Sequence, residues 1–448
     1  MKINKTILSI FSIVVCLINH ATAQNPFIMD QFTADPTARV FKDRVYVFPS
    51  HDIPAKPGKG RAGWFVMEDY HVFSSPNLTD WTDHGVIVSQ NKVNWVDSTT
   101  FSMWAPDCIE KNGIYYFYFP ANTKASFGKG SSIGVAIADN PAGPYTPQLD
   151  PIRNVRGIDP NIFIDKDGQA YIYWAMGNIF AAKLKENMLE LATEPKVVGE
   201  LPVKGLKEGP FLFERNGIYY MTYPHVQNKI ERLEYAIGDN PMGPFKVTGV
   251  IMDESPTGCW TNHQSIVKFN NQWYLFYHHN DLSPKFDKNR SIRVDSLFFN
   301  EDGTIRKVAP TLRGVGLTDA TKQIQVDRYS SISGKGASIA FLDSLNTFKG
   351  WKTMLGEKDA WVQYNAVNFV DRKLNSVQVK ALSQKGGTLQ IWLDKVDGIL
   401  LAEVKIPGGT GWNIVDTRIL KYQKGIYNLV VLQKENNPVE VDWVQFKN

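Results

Sequence analysis

The chain has 448 residues, 43% hydrophobic and 21% charged, a globular composition that excludes a disordered, collagen-like or coiled-coil protein. Its 49 Lys and Arg stand against 45 Asp and Glu with no basic block, so charge argues against a nucleic-acid partner. The outlier is aromatic content, with 12 Trp, 18 Tyr and 25 Phe, which suits β-sheet packing and stacking on sugar rings.

Taken in chain order, residues 1–23 read as a signal peptide. Lys2 and Lys5 give the charged start, residues 7–18 the short apolar stretch, and Ala21-Thr22-Ala23 the small-residue cleavage site. A secreted or periplasmic protein is expected, without a lipid anchor at Cys16, because Val15 stands where a small residue is wanted. No later stretch is apolar enough for a membrane span. Cys108 and Cys259 are too far apart to form a disulfide framework and read as buried thiols.

One unit then recurs five times: a polar or acidic opener, usually beside Pro, followed by alternating apolar residues, a turn and an aromatic strand. The openers are Asp35, Asp107, Asp159, Glu208 and His263. The turns are Lys42-Asp43, Asn112-Gly113, Asp167-Gly168, Asn216-Gly217 and Asn270-Asn271, residues suited to a hairpin. AIADNPAGPY at Ala136 and AIGDNPMGPF at Ala236 are near-copies. The unit is the size of a propeller blade, so the expected fold is all-β: a five-bladed β-propeller over residues 25–316. In such a ring the openers of the innermost strands converge at one end of the axis. Acids gathered there are more than turn starters, and two facing carboxylates are the parts needed for glycoside hydrolysis.

The contexts FTADPTA at Asp35, RGIDPN at Asp159 and KEGPF at Glu208, with NRSIRV, NEDGTI and PTLRGVG further on, resemble glycoside hydrolase family 43. The resemblance implies inversion of configuration, with Asp35 as general base, Glu208 as general acid and Asp159 as modulator of the acid. It also implies an axial His263 that helps hold calcium or a water cluster, an Arg290 contacting the carboxylates, and a matching pair in His51-Asp52. No organic cofactor is expected. Related retaining families that act on fructans open with a WMNDPNG-like motif and carry Cys after the acid, and this chain has neither. Trp104, Phe101 and Trp95 are the candidate aromatic wall of the pocket.

Residues 323–448 change pattern to period-two patches such as GGTLQIWLD, GIYNLVVL and VDWVQF, as expected for a β-sandwich. Their layout resembles carbohydrate-binding module family 6, a jelly roll. The expected activity is release of terminal α-L-arabinofuranose from a plant polysaccharide or oligosaccharide such as arabinoxylan or arabinan. The alternatives are a β-xylosidase acting on xylo-oligosaccharides and a non-catalytic carbohydrate-binding propeller.

Overall fold

The structure is a computed structural model that describes residues 24–369 and 373–448; the leader expected over 1–23 lies outside them. At four of the repeated turns both central residues are left-handed: Lys42 and Asp43 (φ 49° and 59°), Asn112 and Gly113 (56° and 82°), Asn216 and Gly217 (54° and 83°), and Asn270 and Asn271 (47° and 64°). That backbone twist matches the twist of the flanking strands, so each turn closes a tight hairpin.

Five sheets follow from these hairpins. The first holds β1 (Phe32–Phe41), β2 (Arg44–Asp52), β3 (Asp69–Ser75) and β4 (Thr82–Ser89). The second holds β5 (Asp107–Lys111), β6 (Ile114–Asn122), β7 (Ser131–Ala138) and β8 (Thr146–Pro147). The third holds β9 (Ile158–Ile164), β10 (Ala170–Ala175), β11 (Ile179–Lys183) and β12 (Lys196–Val197). The fourth holds β13 (Phe211–Arg215), β14 (Ile218–Val226), β15 (Glu231–Gly238) and β16 (Lys246–Met252). The fifth holds β17 (Ser265–Phe269), β18 (Gln272–His279) and β19 (Ser291–Leu297).

The fifth sheet is one strand short of the pattern. Asn25 covers its edge instead: its side-chain oxygen accepts from Val294 N (2.9 Å), its Nδ2 donates to Val294 O (3.0 Å), and its N–H donates to Leu312 O (2.8 Å). An exposed strand edge is thereby capped by chain from the other end of the ring.

Period-two alternation gives every blade two apolar faces. In β2, Val45 and Val47 pack with Phe73 and Phe276 on one side, while Tyr46 and Phe48 pack with Tyr70 and Phe117 on the other. The strand aromatics Tyr115 and Trp174 are buried between blades, and Trp273 packs against Phe213. Cys108 and Cys259 are buried free thiols.

Polar stitches join the inner strands into a ring. Ser265 Oγ accepts from Ala38 N (2.9 Å) and donates to Pro36 O (2.5 Å), tying blade five to blade one. Thr37 Oγ1 donates to Pro106 O (2.7 Å), and Arg39 grips Asp107 through Nε (3.0 Å) and Nη2 (2.6 Å). Asp107 in turn accepts from Ile162 N (2.6 Å) and Asn161 Nδ2 (3.0 Å) in blade three. Asn161 Oδ1 accepts from Leu212 N (2.8 Å), and Gln264 Nε2 donates to Gly209 O (2.9 Å). Asp107, one of the acidic openers, is thus wholly occupied as a clamp between three blades.

The C-terminal strands form two sheets of six and five strands whose facing side chains, among them Val379, Ile391, Val431 and Phe446, make one core. Thr318–Asp319 already pairs with Val367 and Asn368 in this sandwich, so it starts ahead of residue 323. It docks on the ring through Phe348, 4.8 Å from the Phe32 ring, and through Trp351, which Arg328 covers at 3.7 Å while its Nη1 donates to Asn25 O (3.3 Å).

Asp107→Ala should cost about 3–5 kcal/mol, because it takes away the carboxylate paired with the Arg39 guanidinium and leaves the Ile162 N–H, Cys108 N–H and Asn161 Nδ2 without this acceptor. Denaturant unfolding measures this, and a loss below about 1 kcal/mol would show that the clamp does not hold the ring.

Candidate active site

The site is built from unusual backbone at the inner strand starts. Asp35 and Asp159 both take left-handed φ values, 46° and 57°, although each precedes a proline, a position that normally favours extended backbone. Both lie where strand register slips, between Ala34 and Thr37 in β1 and opposite Tyr173 and Ala175 for β9. Such bulges re-aim a side chain. Glu208 is followed by Gly209 (φ 50°), where a Cβ would come within 2.9 Å of the Pro224 ring and 3.0 Å of His263. Only glycine lets the chain turn there beside the axis.

Asp35, Asp159, Glu208, His263, Arg290 and Trp104 line one cavity of about 170 Å³, together with Trp64, Phe65, Met67, Trp260 and Thr261. A second cavity of about 620 Å³ shares Ile158 and Glu208 with the first and continues along Arg156, Met176, Leu206 and Lys207. Glu208 stands at the junction of the two.

Charge compensation is uneven. Arg290 Nη1 donates to Asp35 Oδ1 (2.8 Å), Ser50 Oγ donates to Asp35 Oδ2 (2.7 Å), and the Asp35 N–H donates to His278 Nδ1 (3.0 Å). Burial alone would raise the Asp35 carboxyl, but the charge of Arg290 and the Ser50 bond work against this and it is held far below the usual carboxylate range. His278, buried and beside Arg290, is pushed down to about 3, so it is a neutral acceptor at ordinary pH. Asp159 lacks such a cation: burial and the charge of Glu208 push it up to about 7, against a bond from Gly209 N (2.9 Å). Burial also raises Glu208; a hydrogen bond from Glu231 opposes the rise and the charge of Asp35 adds to it. One carboxylate is therefore held ionised opposite a cluster that retains protons, the division needed by a base and an acid working at one pH.

Four residues expected at the pocket are not among its lining. Asp52 is fully buried behind Arg290, accepting from its Nε (2.9 Å), Nη2 (3.0 Å) and N–H (2.8 Å), so it orients the guanidinium rather than touching the cavity. His51, one residue earlier in the strand, points to the opposite face and pairs with Asp69 at 2.7 Å. Phe101 is buried, and its carbonyl accepts from Met67 N (3.0 Å), supporting a lining residue from behind. Trp95 is likewise core, stacked on Phe119.

His263 lines the cavity, with Nδ1 3.9 Å from Asp35 Oδ1. That carboxylate is already taken up by Arg290 and Ser50. Calcium takes about six to eight oxygens, so these protein atoms do not build a calcium cage and no chemical step is assigned to a metal. Among the described residues, the His51, Asp69 and His71 donors form the group of three close enough for a metal, all within 4.8 Å, and it does not include His263.

Sequence reasoning missed Trp64, Phe65, Trp260 and Glu231. Trp64 had a readable signal: a large aromatic in the Gly-rich polar loop before β3, where no strand packs it, and it stays 41% exposed. Phe65 carries the Arg290 guanidinium at 4.7 Å. Glu231 had none, being one charged residue among several in NKIERLEY.

The glycosyl hydrolases family 43 model matches residues 23–305. The chain belongs to that family. Residues 334–448 match the carbohydrate binding module (family 6), which makes the C-terminal sandwich a domain of that kind. The family 43 relatives include a xylosidase/arabinosidase of Humicola insolens, 35% identical over 62% of this chain and 98% of its own length. An arabinoxylan arabinofuranohydrolase of Paenibacillus polymyxa is 26% identical over 91% of this chain and 71% of its own. Among solved structures, a β-xylosidase/α-arabinofuranosidase from a compost metagenome, complexed with xylotriose in a calcium-free form, superposes with TM-score 0.59 at 34% identity over 65% of this chain and 98% of its own. The chain is thus a glycoside hydrolase on an all-β scaffold, a five-bladed propeller followed by a sandwich.

Arg290→Met should raise the Asp35 pKa, because the cation that depresses it is gone. A base must be ionised, so the acidic limb of the kcat/KM profile should move to higher pH by about one unit or more. Ser50→Ala should move it the same way by less. An unmoved limb in both variants would mean that Asp35 is not the group titrating there.

Proposed function

We propose that this family 43 hydrolase releases terminal α-L-arabinofuranose from a plant polysaccharide such as arabinoxylan or arabinan, with inversion at the anomeric carbon. The observation that carries the reading is the split in protonation between Asp35 and the Glu208 cluster around one cavity. Asp35, ionised, takes a proton from a water molecule whose oxygen attacks the anomeric carbon. Glu208, protonated, gives its proton to the glycosidic oxygen as that bond breaks. Asp159, with its own charge suppressed by burial and by Glu208, accepts from the N–H of Gly209 next to the acid and so helps orient it.

The two cavities support an assignment of sides. Glu208 must face the leaving oxygen, so the larger cavity it borders suits the remainder of the glycan, and the smaller one suits a single terminal sugar. Trp104 and the exposed Trp64 offer aromatic faces to that sugar.

The second reading is a β-xylosidase. It draws on the same machinery, which acts at the anomeric carbon whatever the ring, and on relatives described both as xylosidases and as arabinosidases. A non-catalytic sugar-binding propeller would have no use for carboxyls held in opposite protonation states. Export is part of the proposal, resting on the leader read in residues 1–23.

Glu208→Gln should lower turnover of a natural oligosaccharide by roughly 10²–10⁴-fold, with a smaller loss on an aryl pentoside whose leaving group needs no proton. Release from arabinoxylan, arabinan and xylo-oligosaccharides, measured with the same preparations, separates the two sugars. Full activity of Glu208→Gln on every substrate would overturn the assignment.

A further inference from the structure

Behind Glu208 lies a fourth carboxyl that the mechanism above does not use. Glu231 opens β15 and is fully buried. Its Oε2 accepts from the Asn262 N–H at 2.6 Å, while its Oε1 has no donor among the described residues. The carboxyl of Glu208 lies in hydrogen-bond contact with it. Two carboxyl groups in contact, one of them fully buried, with no donor between them, are an unsatisfied contact unless a proton sits on one. The bond from Asn262 leaves Oε1 as the oxygen to carry it.

We propose that Glu231 is a positioning residue that stays protonated through the catalytic cycle and donates from Oε1 to the Glu208 carboxyl, fixing the acid's orientation and holding its negative charge once its proton has gone to the leaving oxygen. This rests on Glu208 being the general acid. The groups around the pair agree with it: the carboxyls of Asp159 and Asp35 lie near it, Arg290 is the nearby guanidinium, and His263 stands beside Asp159. Arg290 is already committed to Asp35 and Asp52, so an ionised Glu231 would have no cation of its own. Burial and the charge of Glu208 both favour its neutral form. In each turnover Glu208 loses one proton to the leaving group and Asp35 gains one from water, and solvent exchange restores both. The Glu231 proton is not consumed.

Glu231→Leu removes the donor and should lower kcat on a natural oligosaccharide by roughly 10- to 100-fold, the worth of one hydrogen bond to a charged group. Its alkaline limb should move up, because the bond that favours ionised Glu208 is lost. Glu231→Gln is a permanently neutral donor that can still accept from Asn262, and it should recover most of that loss with the limb near its wild-type position. Infrared spectra near neutral pH should show the C=O stretch of a protonated carboxyl in the wild type that Glu231→Gln lacks, a readout independent of folding differences in the Leu variant. A Gln variant as slow as Leu, a Leu variant with the wild-type limb, or the absence of that difference band would overturn the proposal. Glu208→Gln, run in parallel, separates the failures. If it keeps its activity the general-acid reading falls; if it loses activity while the Glu231 variants behave as wild type, only the role of Glu231 falls.

Discussion

The chemistry of this site depends on how one guanidinium is placed among five clustered carboxyls, four of them buried. Arg290 binds Asp35 and Asp52 directly, and among the described residues no Lys or Arg forms an ion pair with Asp159, Glu208 or Glu231. A buried charge without a partner is costly enough that the group keeps its proton instead. Placement of the cation thus decides which carboxyl ionises and which keeps its proton, although all of them are ordinary Asp and Glu side chains. Asp52 contributes without touching the cavity: its three bonds to Arg290 hold the guanidinium where it can bind Asp35.

The ring makes that sharing possible. Asp35, Asp159 and Glu208 come from three blades, and the stitches through Ser265, Thr37, Asp107, Asn161 and Gln264 fix those blades at their inner edges. The left-handed turns at Asp35 and Asp159 and the Gly209 corner then turn the side chains into the cavity. Unfavourable backbone of this kind persists only where its surroundings over-determine it. Here each such residue is followed by a proline and lies beside the stitched inner strands.

Much of this was legible in the sequence because it is local. A two-residue hairpin turn needs left-handed residues, so Lys42-Asp43 and the Asn-containing turns announced the strands on either side and with them the repeat. Acidic openers at matching places in the repeat announced the convergence. What escaped is non-local. Asp107 opens its strand as Asp159 does, and only Arg39 from another blade shows that it is a clamp. His51 and Asp52 are neighbours, and which of them faces Arg290 depends on how the sheet sits in the ring. The fifth blade's missing strand is replaced by Asn25, from far away in the chain. Glu231 matters through its contact with Glu208 and carries no pattern of its own.

Neutron diffraction from deuterium-exchanged crystals at mildly acidic pH would locate the protons themselves. The account predicts none on Asp35, one on Glu231 Oε1 directed at Glu208, and at least one more shared between Glu208 and Asp159. Deuterium on Asp35, or a bare Glu231 carboxylate, would contradict it.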